Sequence, residues 1–167
     1  MISMYDASIP VFKRFLTNLS TILTKANAYA DAKGIEHSAL LTARLYPDMY
    51  PFTRQVQIAT DMAKGAVARL AGVDIPKYED NEASFAELQQ RIAKTLTFID
   101  SIKPGQLVGS ESRDIIITVR DTKLEFKGQQ YLLNWVQPNV YFHVTTAYNI
   151  LRHNGLELGK RDYLAGL

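Results

Sequence analysis

Residues 128–155 read GQQYLLNWVQPNVYFHVTTAYNILRHNG. On a wheel of about 100° per residue, Leu132, Val136, Val140, Ala147 and Ile150 fall on one apolar stripe, and His143 lies in its middle. The stretch predicts one long helix, interrupted at Pro138, whose ring removes the backbone bond to the Asn134 carbonyl and kinks the helix. A histidine at the centre of a buried face needs a polar partner. Asn139, one turn earlier, and Thr146, nearly one turn later, lie on the same side of the helix as His143.

The same periodicity recurs upstream. Phe12, Phe15, Leu16, Leu19, Ile22, Leu23, Ala26 and Ala30 share a stripe that begins near Asp6, Ser8 and Pro10, with Asp6 or Ser8 as the expected cap, and ends near Gly34. A short helical turn is expected over 36–45, with His37 exposed and uninvolved. Pro47, Asp48 and Pro51 introduce a second long helix, Asp48 reading as its cap. Phe52, Val56, Ala59, Ala63, Ala66, Val67 and Leu70 share a face of this helix, and Gly72 closes it. Gln55 sits at the edge of that face, where it can point inward, and Gln57 lies nearly opposite.

Residues 73–83 read as a polar connection. Ser84-Phe-Ala-Glu87 has the form of a capping box and opens a third helix with a stripe of Phe85, Leu88, Ile92, Leu96 and Ile99. Ile115 to Val119 and Lys123 to Phe126 flank a turn at Asp121-Thr122 and predict a small hairpin, which must lean on the helices because two strands alone are marginal in water. Beyond Gly155, apolar residues including Leu156, Leu158, Tyr163, Leu164 and Leu167 are enough to strap the tail onto the domain. The prediction is an all-α chain, a single domain over 1–167. Four helices, near 8–32, 51–71, 84–102 and 129–154, form a bundle with a β-hairpin inserted before the last.

Composition narrows the function classes. Of 167 residues 47% are hydrophobic, enough for a core without staples. No cysteine is present, so disulfides, thiolate nucleophiles and Cys-based zinc sites are excluded. Nineteen basic residues against seventeen acidic ones, without a basic run, give no basis for nucleic-acid binding. The densest basic cluster, Arg152, His153, Lys160 and Arg161, reads as solvated surface. Met1 to Pro10 lacks the pattern of a signal peptide, and no apolar run approaches the roughly 20 residues that span a bilayer, so a cytoplasmic protein without membrane contact is expected. There is no phosphate loop, nucleophile elbow or His-Glu-x-x-His motif. His143 and His153 lie about 80° and roughly 15 Å apart on one helix and cannot share a metal.

The helix order, the hairpin before the last helix, and the segments 47–55 (PDMYPFTRQ), 139–143 (NVYFH) and 147–155 (AYNILRHNG) resemble the uncharacterised bacterial family DUF1993 nearly end to end. That family is similar to the DinB and YfiT superfamily of four-helix bundles, which includes thiol-dependent S-transferases and isomerases. The resemblance implies a DinB-like bundle. It also implies a divalent metal held by one histidine of the second helix and a His-x-x-x-His pair on the last. Here the pair reads Asn139-x-x-x-His143, and the second helix offers Gln55 and Gln57, so only His143 carries over.

Several roles for His143 follow: a neutral core histidine, the anchor of a small-ligand pocket with Asn139, Thr146 and Gln55, a metal ligand beside Gln55 or Asp48, or a general base. The preferred reading is a small-ligand or structural bundle protein with an incomplete metal triad, hence no cofactor and no stoichiometric metal. The alternatives are a divergent metal-dependent transferase or hydrolase and a non-catalytic interaction module. A cavity around His143 favours a ligand or an enzyme, and a filled interior favours the module. Tyr141 and Tyr148, seven residues apart and opposite the His143 stripe, want cover; a homodimer would supply it, as would the hairpin or the tail.

Overall fold

A computed structural model describes residues 2–165. The first long helix, α1, runs Ile9–Lys33, and α2 is the short helix His37–Leu41. The second long helix is α3, Phe52–Ala71, and the third is α4, Phe85–Ser101. Gly34 and Gly72 end α1 and α3 in the left-handed region, at φ 63° and 71°, as the sequence requires of them. The starts differ more from expectation. Ser8 occupies the N-cap position of α1, but its hydroxyl donates to the Met4 carbonyl at 2.6 Å and caps nothing. Pro51, not Asp48, stands at the N-cap of α3, and no side chain caps that helix. At α4, Ser84 Oγ accepts from the Glu87 amide, while the Glu87 carboxylate reaches back to the Ala83 amide at 2.6 Å.

Strands β1, Asp114–Val119, and β2, Thr122–Lys127, pair antiparallel around Arg120-Asp121, one residue earlier than the expected turn. Arg120 adopts φ 53° to close it. The hairpin does lean on the helices. Ile115 and Ile117 are buried, and Phe126 meets the rings of Tyr131 and Trp135, each at 5.9 Å. Arg113 ties the loop before the hairpin to the end of α3 by donating to the Leu70 carbonyl at 2.7 Å.

From Gly128 the chain is helical as far as His153, in three stretches: α5, Gly128–Gln130; a π-helical stretch, Tyr131–Val136; and α6, Gln137–His153. Ahead of Pro138, where the sequence predicts a kink, six residues are wound more widely, and this five-residue registration gives way to α-helix one residue before the proline that lacks an N–H. Leu132, Val136, Val140, Val144, Ala147, Ile150 and Leu151 are all sealed in the core.

The helices pack around one hydrophobic core, with α1 against α4 and α6, and α3 against α4 and α6. The α3–α6 contact is the most extensive, with Ala59, Ala63 and Ala66 buried along α3. The last helix, α7 (Lys160–Leu164), lies on α1. Asn18 donates to the carbonyls of Tyr163 and Ala165, both at 2.9 Å, and Phe15 meets the rings of Tyr141 and Tyr163 at 5.0 and 5.1 Å. Tyr148 donates to the Leu158 carbonyl. The tail thus covers the tyrosine face from within the chain. Leu167 lies outside the described residues. Among those described, no helix is long and apolar enough to cross a membrane.

Candidate functional site

The α3–α6 interface brings together two of the four residues expected to converge. His143 Nδ1 lies 2.7 Å from Gln55 Oε1 in a buried contact. Gln55 Nε2 donates to the Tyr50 carbonyl at 2.9 Å, and this fixes the amide orientation: its oxygen faces the imidazole and can only accept. His143 therefore carries its proton on Nδ1, and Nε2 presents a lone pair. Burial, with the nearby Arg54 charge second, pushes the His143 pKa down to about 4, so the ring is neutral near pH 7. Nε2 has no hydrogen-bond partner among the described residues. Their only sealed, partnerless side-chain polar atom is Arg14 Nε, so the 8% of His143 left exposed includes solvent access for Nε2.

Asn139 and Thr146 do not join the pair. Asn139 Nδ2 donates to the Trp135 carbonyl and Thr146 Oγ1 to the Phe142 carbonyl, both at 2.7 Å, so each is spent on its own helix. None of three surface depressions, of about 470, 480 and 160 Å³, is lined by His143, Gln55, Asn139 or Thr146. Phe142 stands edge-on to the His143 ring at 5.2 Å and is 56% exposed; Tyr50, whose carbonyl holds Gln55, is equally exposed, with the Arg54 guanidinium 6.0 Å from its ring.

A second polar centre on α3 escaped the sequence reading. Arg91 of α4 is fully buried. Its Nε donates to Thr60 Oγ1 at 2.7 Å, and its terminal nitrogens reach Asp61 at 2.7 Å, Glu82 at 2.9 Å, Asp80 at 3.0 Å and the Glu79 carbonyl at 3.2 Å. Gln57 donates to Glu82 at 2.9 Å and accepts from Arg54 at 3.1 Å, and Arg54 also pairs with Asp80. Tyr78 receives the ammonium groups of Lys64 and Lys94 at 3.5 and 4.1 Å from its ring centre. Segment 73–83 is therefore a strap held on a buried guanidinium. Burial works to raise the Glu82 and Asp80 carboxyls, but their bonds to Arg91 and Gln57, and to Arg54 and Arg91, hold both below the usual range. The sequence signal was the spacing Leu88, Arg91, Thr95, which extends the apolar face of α4 with polar residues.

The other histidines are peripheral. His37 is half-buried and engaged, contrary to expectation: Nε2 meets Asp31 at 2.8 Å and the ring stands edge-on to Phe85 at 5.3 Å. Arg152, His153, Lys160 and Arg161 are all exposed. Among the described residues no three His, Asp or Glu side chains are placed to hold a metal ion. Where the resemblance implies further histidines, the chain offers only neutral amides, Asn139 on the last helix and Gln55 or Gln57 on α3; the Gln55 oxygen is already taken by His143 Nδ1, and Gln57 is bonded to Arg54 and Glu82. This donor set does not fit a divalent transition metal.

The fold is that of a DinB-like helical protein. A solved structure described as a DinB family member protein from Shewanella denitrificans is 41% identical, with a TM-score of 0.92, over 98% of this chain and 93% of that one. The family model described as "Domain of unknown function (DUF1993)" matches residues 4–164, and the chain belongs to that family. No curated protein matches.

Proposed function

We propose that this is a metal-independent, cytoplasmic small-ligand-binding protein in which His143 Nε2 is the ligand-facing atom. The observation that carries the reading is the combination at one residue of a tautomer set by Gln55, a neutral ring and an unpartnered nitrogen open to solvent. An imidazole held in this way accepts a hydrogen bond, or a proton, from whatever is bound in front of it. The reading puts the ligand at the surface, where His143 keeps its residual exposure beside the exposed Phe142 ring. Gln55 serves as the orienting group; Asn139 and Thr146 shape the helix behind it.

The exposed rings favour a second reading, a non-catalytic interaction surface, because Tyr46, Tyr50 and Phe142 all stand in solvent. A homodimer would use these rings; the Tyr141–Tyr148 face has its cover already. The test is a thermal-shift screen of metabolites and divalent metals on the wild type and His143→Ala, with elemental analysis of untagged protein. Stabilisation by a metabolite that vanishes in the variant supports the proposal. Near-equimolar zinc, nickel or iron in the wild type, lost in His143→Ala, overturns it in favour of a metal-dependent transferase or hydrolase.

A further inference from the structure

If His143 faces a ligand, the groups around it restrict that ligand's chemistry. Arg54 is adjacent to Gln55 on α3, and Tyr50 joins the two: its carbonyl holds the Gln55 amide and its ring lies beside the Arg54 guanidinium. Only one terminal nitrogen of Arg54 is engaged, by Asp80 and Gln57. Its Nε and the other terminal nitrogen have no partner among the described residues, and neither is sealed from solvent. The Asp80 pair is itself 36% and 37% exposed, so water and salt already compete for it. Two donors of a guanidinium and one imidazole acceptor thus lie outside the hydrogen-bond network, on residues that Tyr50 links through its carbonyl and its ring, and the Arg54 charge is near enough to bear on the imidazole.

We infer that the ligand is a small organic anion that also carries a hydroxyl or N–H donor, with the anionic group on Arg54, the donor on His143 Nε2, and the body between Tyr50 and Phe142. Each half of the description follows from one partner. The Nε2 lone pair accepts and cannot donate, because Gln55 keeps the ring proton on Nδ1; a group with acceptors alone gains nothing there. The guanidinium favours an anion, best a planar carboxylate that it can grip with two N–H groups, and repels a cation. Asp80 is the carboxylate that occupies part of Arg54 when no ligand is bound, so ligand and strap compete. The inference rests on the reading of His143 as ligand-facing, and the experiment separates the two.

The probes are 4-hydroxybenzoate, which has both groups, and phenol and benzoate, which have one each. They are titrated into protein labelled with ¹⁵N at histidine and arginine side chains. 4-Hydroxybenzoate is expected to shift both His143 Nε2 and Arg54 Nε and to bind about ten-fold tighter than either half, the worth of one added charge-assisted contact. Arg54→Gln removes that advantage, Arg54→Lys keeps part of it, and Asp80→Asn raises affinity a few-fold by freeing the guanidinium. Equal binding of phenol and 4-hydroxybenzoate at His143, unchanged by Arg54→Gln, overturns the anion while leaving His143 as a ligand-facing residue. Silence from all three probes rejects the inference. If a panel of neutral and cationic fragments also leaves Nε2 unshifted, the ligand reading falls with it.

Discussion

Helix α3 carries a buried polar centre on each side, and the two are built to opposite rules. Toward α4 and the strap, Arg91 is charged and saturated: every nitrogen of the guanidinium has a partner, and the partners bond one another. Toward α6, His143 is neutral and half-used, with one nitrogen bonded to Gln55 and the other left open. A saturated network leaves nothing over for a ligand, and its role is to hold segment 73–83 in place. An unsaturated buried group is the one available for recognition. Arg54 touches both centres, bonded to the strap and close enough to His143 to lower its pKa.

The largest effect should come from breaking the saturated centre. Arg91→Ala leaves Glu82, whose side chain is 6% exposed, without its cation, and removes the anchor of the strap. Loss of one partner of a buried ion pair costs about 3 to 5 kcal/mol, measurable as a fall in urea midpoint with early proteolysis within 73–83. A loss below about 1 kcal/mol would mean that the strap does not depend on Arg91.

The two centres were unequally legible in the sequence. His143 could be found because it interrupts a regular apolar stripe, and Gln55 because it sits at the edge of another. Such periodicity, with Gly34 and Gly72 as stops, also gave the long helices within a residue or two. Arg91 was hidden because one charged residue beside a stripe reads as solvated surface, and its acidic partners come from a segment with no period. Local hydrogen bonds were equally hard to foresee: Asn139 and Thr146 face the right way on a wheel, yet each bonds to its own backbone. The π-helical winding just before Pro138 is likewise something that the pattern of apolar residues does not encode.

Acid should separate the centres in order. His143 is depressed from 6.5 to about 4, so below pH 6.5 the unfolded chain binds a proton that the folded chain refuses. Its contribution is complete above pH 6.5 and is lost as pH falls toward 4. The Asp80 and Glu82 carboxyls are held below their ordinary values, 3.8 and 4.5, so their contribution is lost only as pH falls below that range. Between pH 7 and pH 5 the wild type should lose on the order of 2 kcal/mol, and His143→Gln should lose little of it. Equal pH slopes in the two proteins would contradict the assignment.

Gln55→Leu sharpens the contrast at about 1 to 3 kcal/mol, because it strands both the Nδ1–H of His143 and the Tyr50 carbonyl; denaturant titration of the variant at pH 7 reads the loss. Asp80→Asn should be the mildest, below about 1 kcal/mol by the same titration, since its ion pairs are a third exposed and Arg91 keeps Asp61 and Glu82.

The central claim is tested most directly on the imidazole itself, by ¹⁵N NMR of histidine-labelled protein from pH 7.5 to 3.5. The geometry predicts that at pH 7 His143 is neutral, protonated at Nδ1 and bare at Nε2, with a titration midpoint of about 4. A proton on Nε2 at pH 7, or a midpoint at or above 6.5, would contradict it.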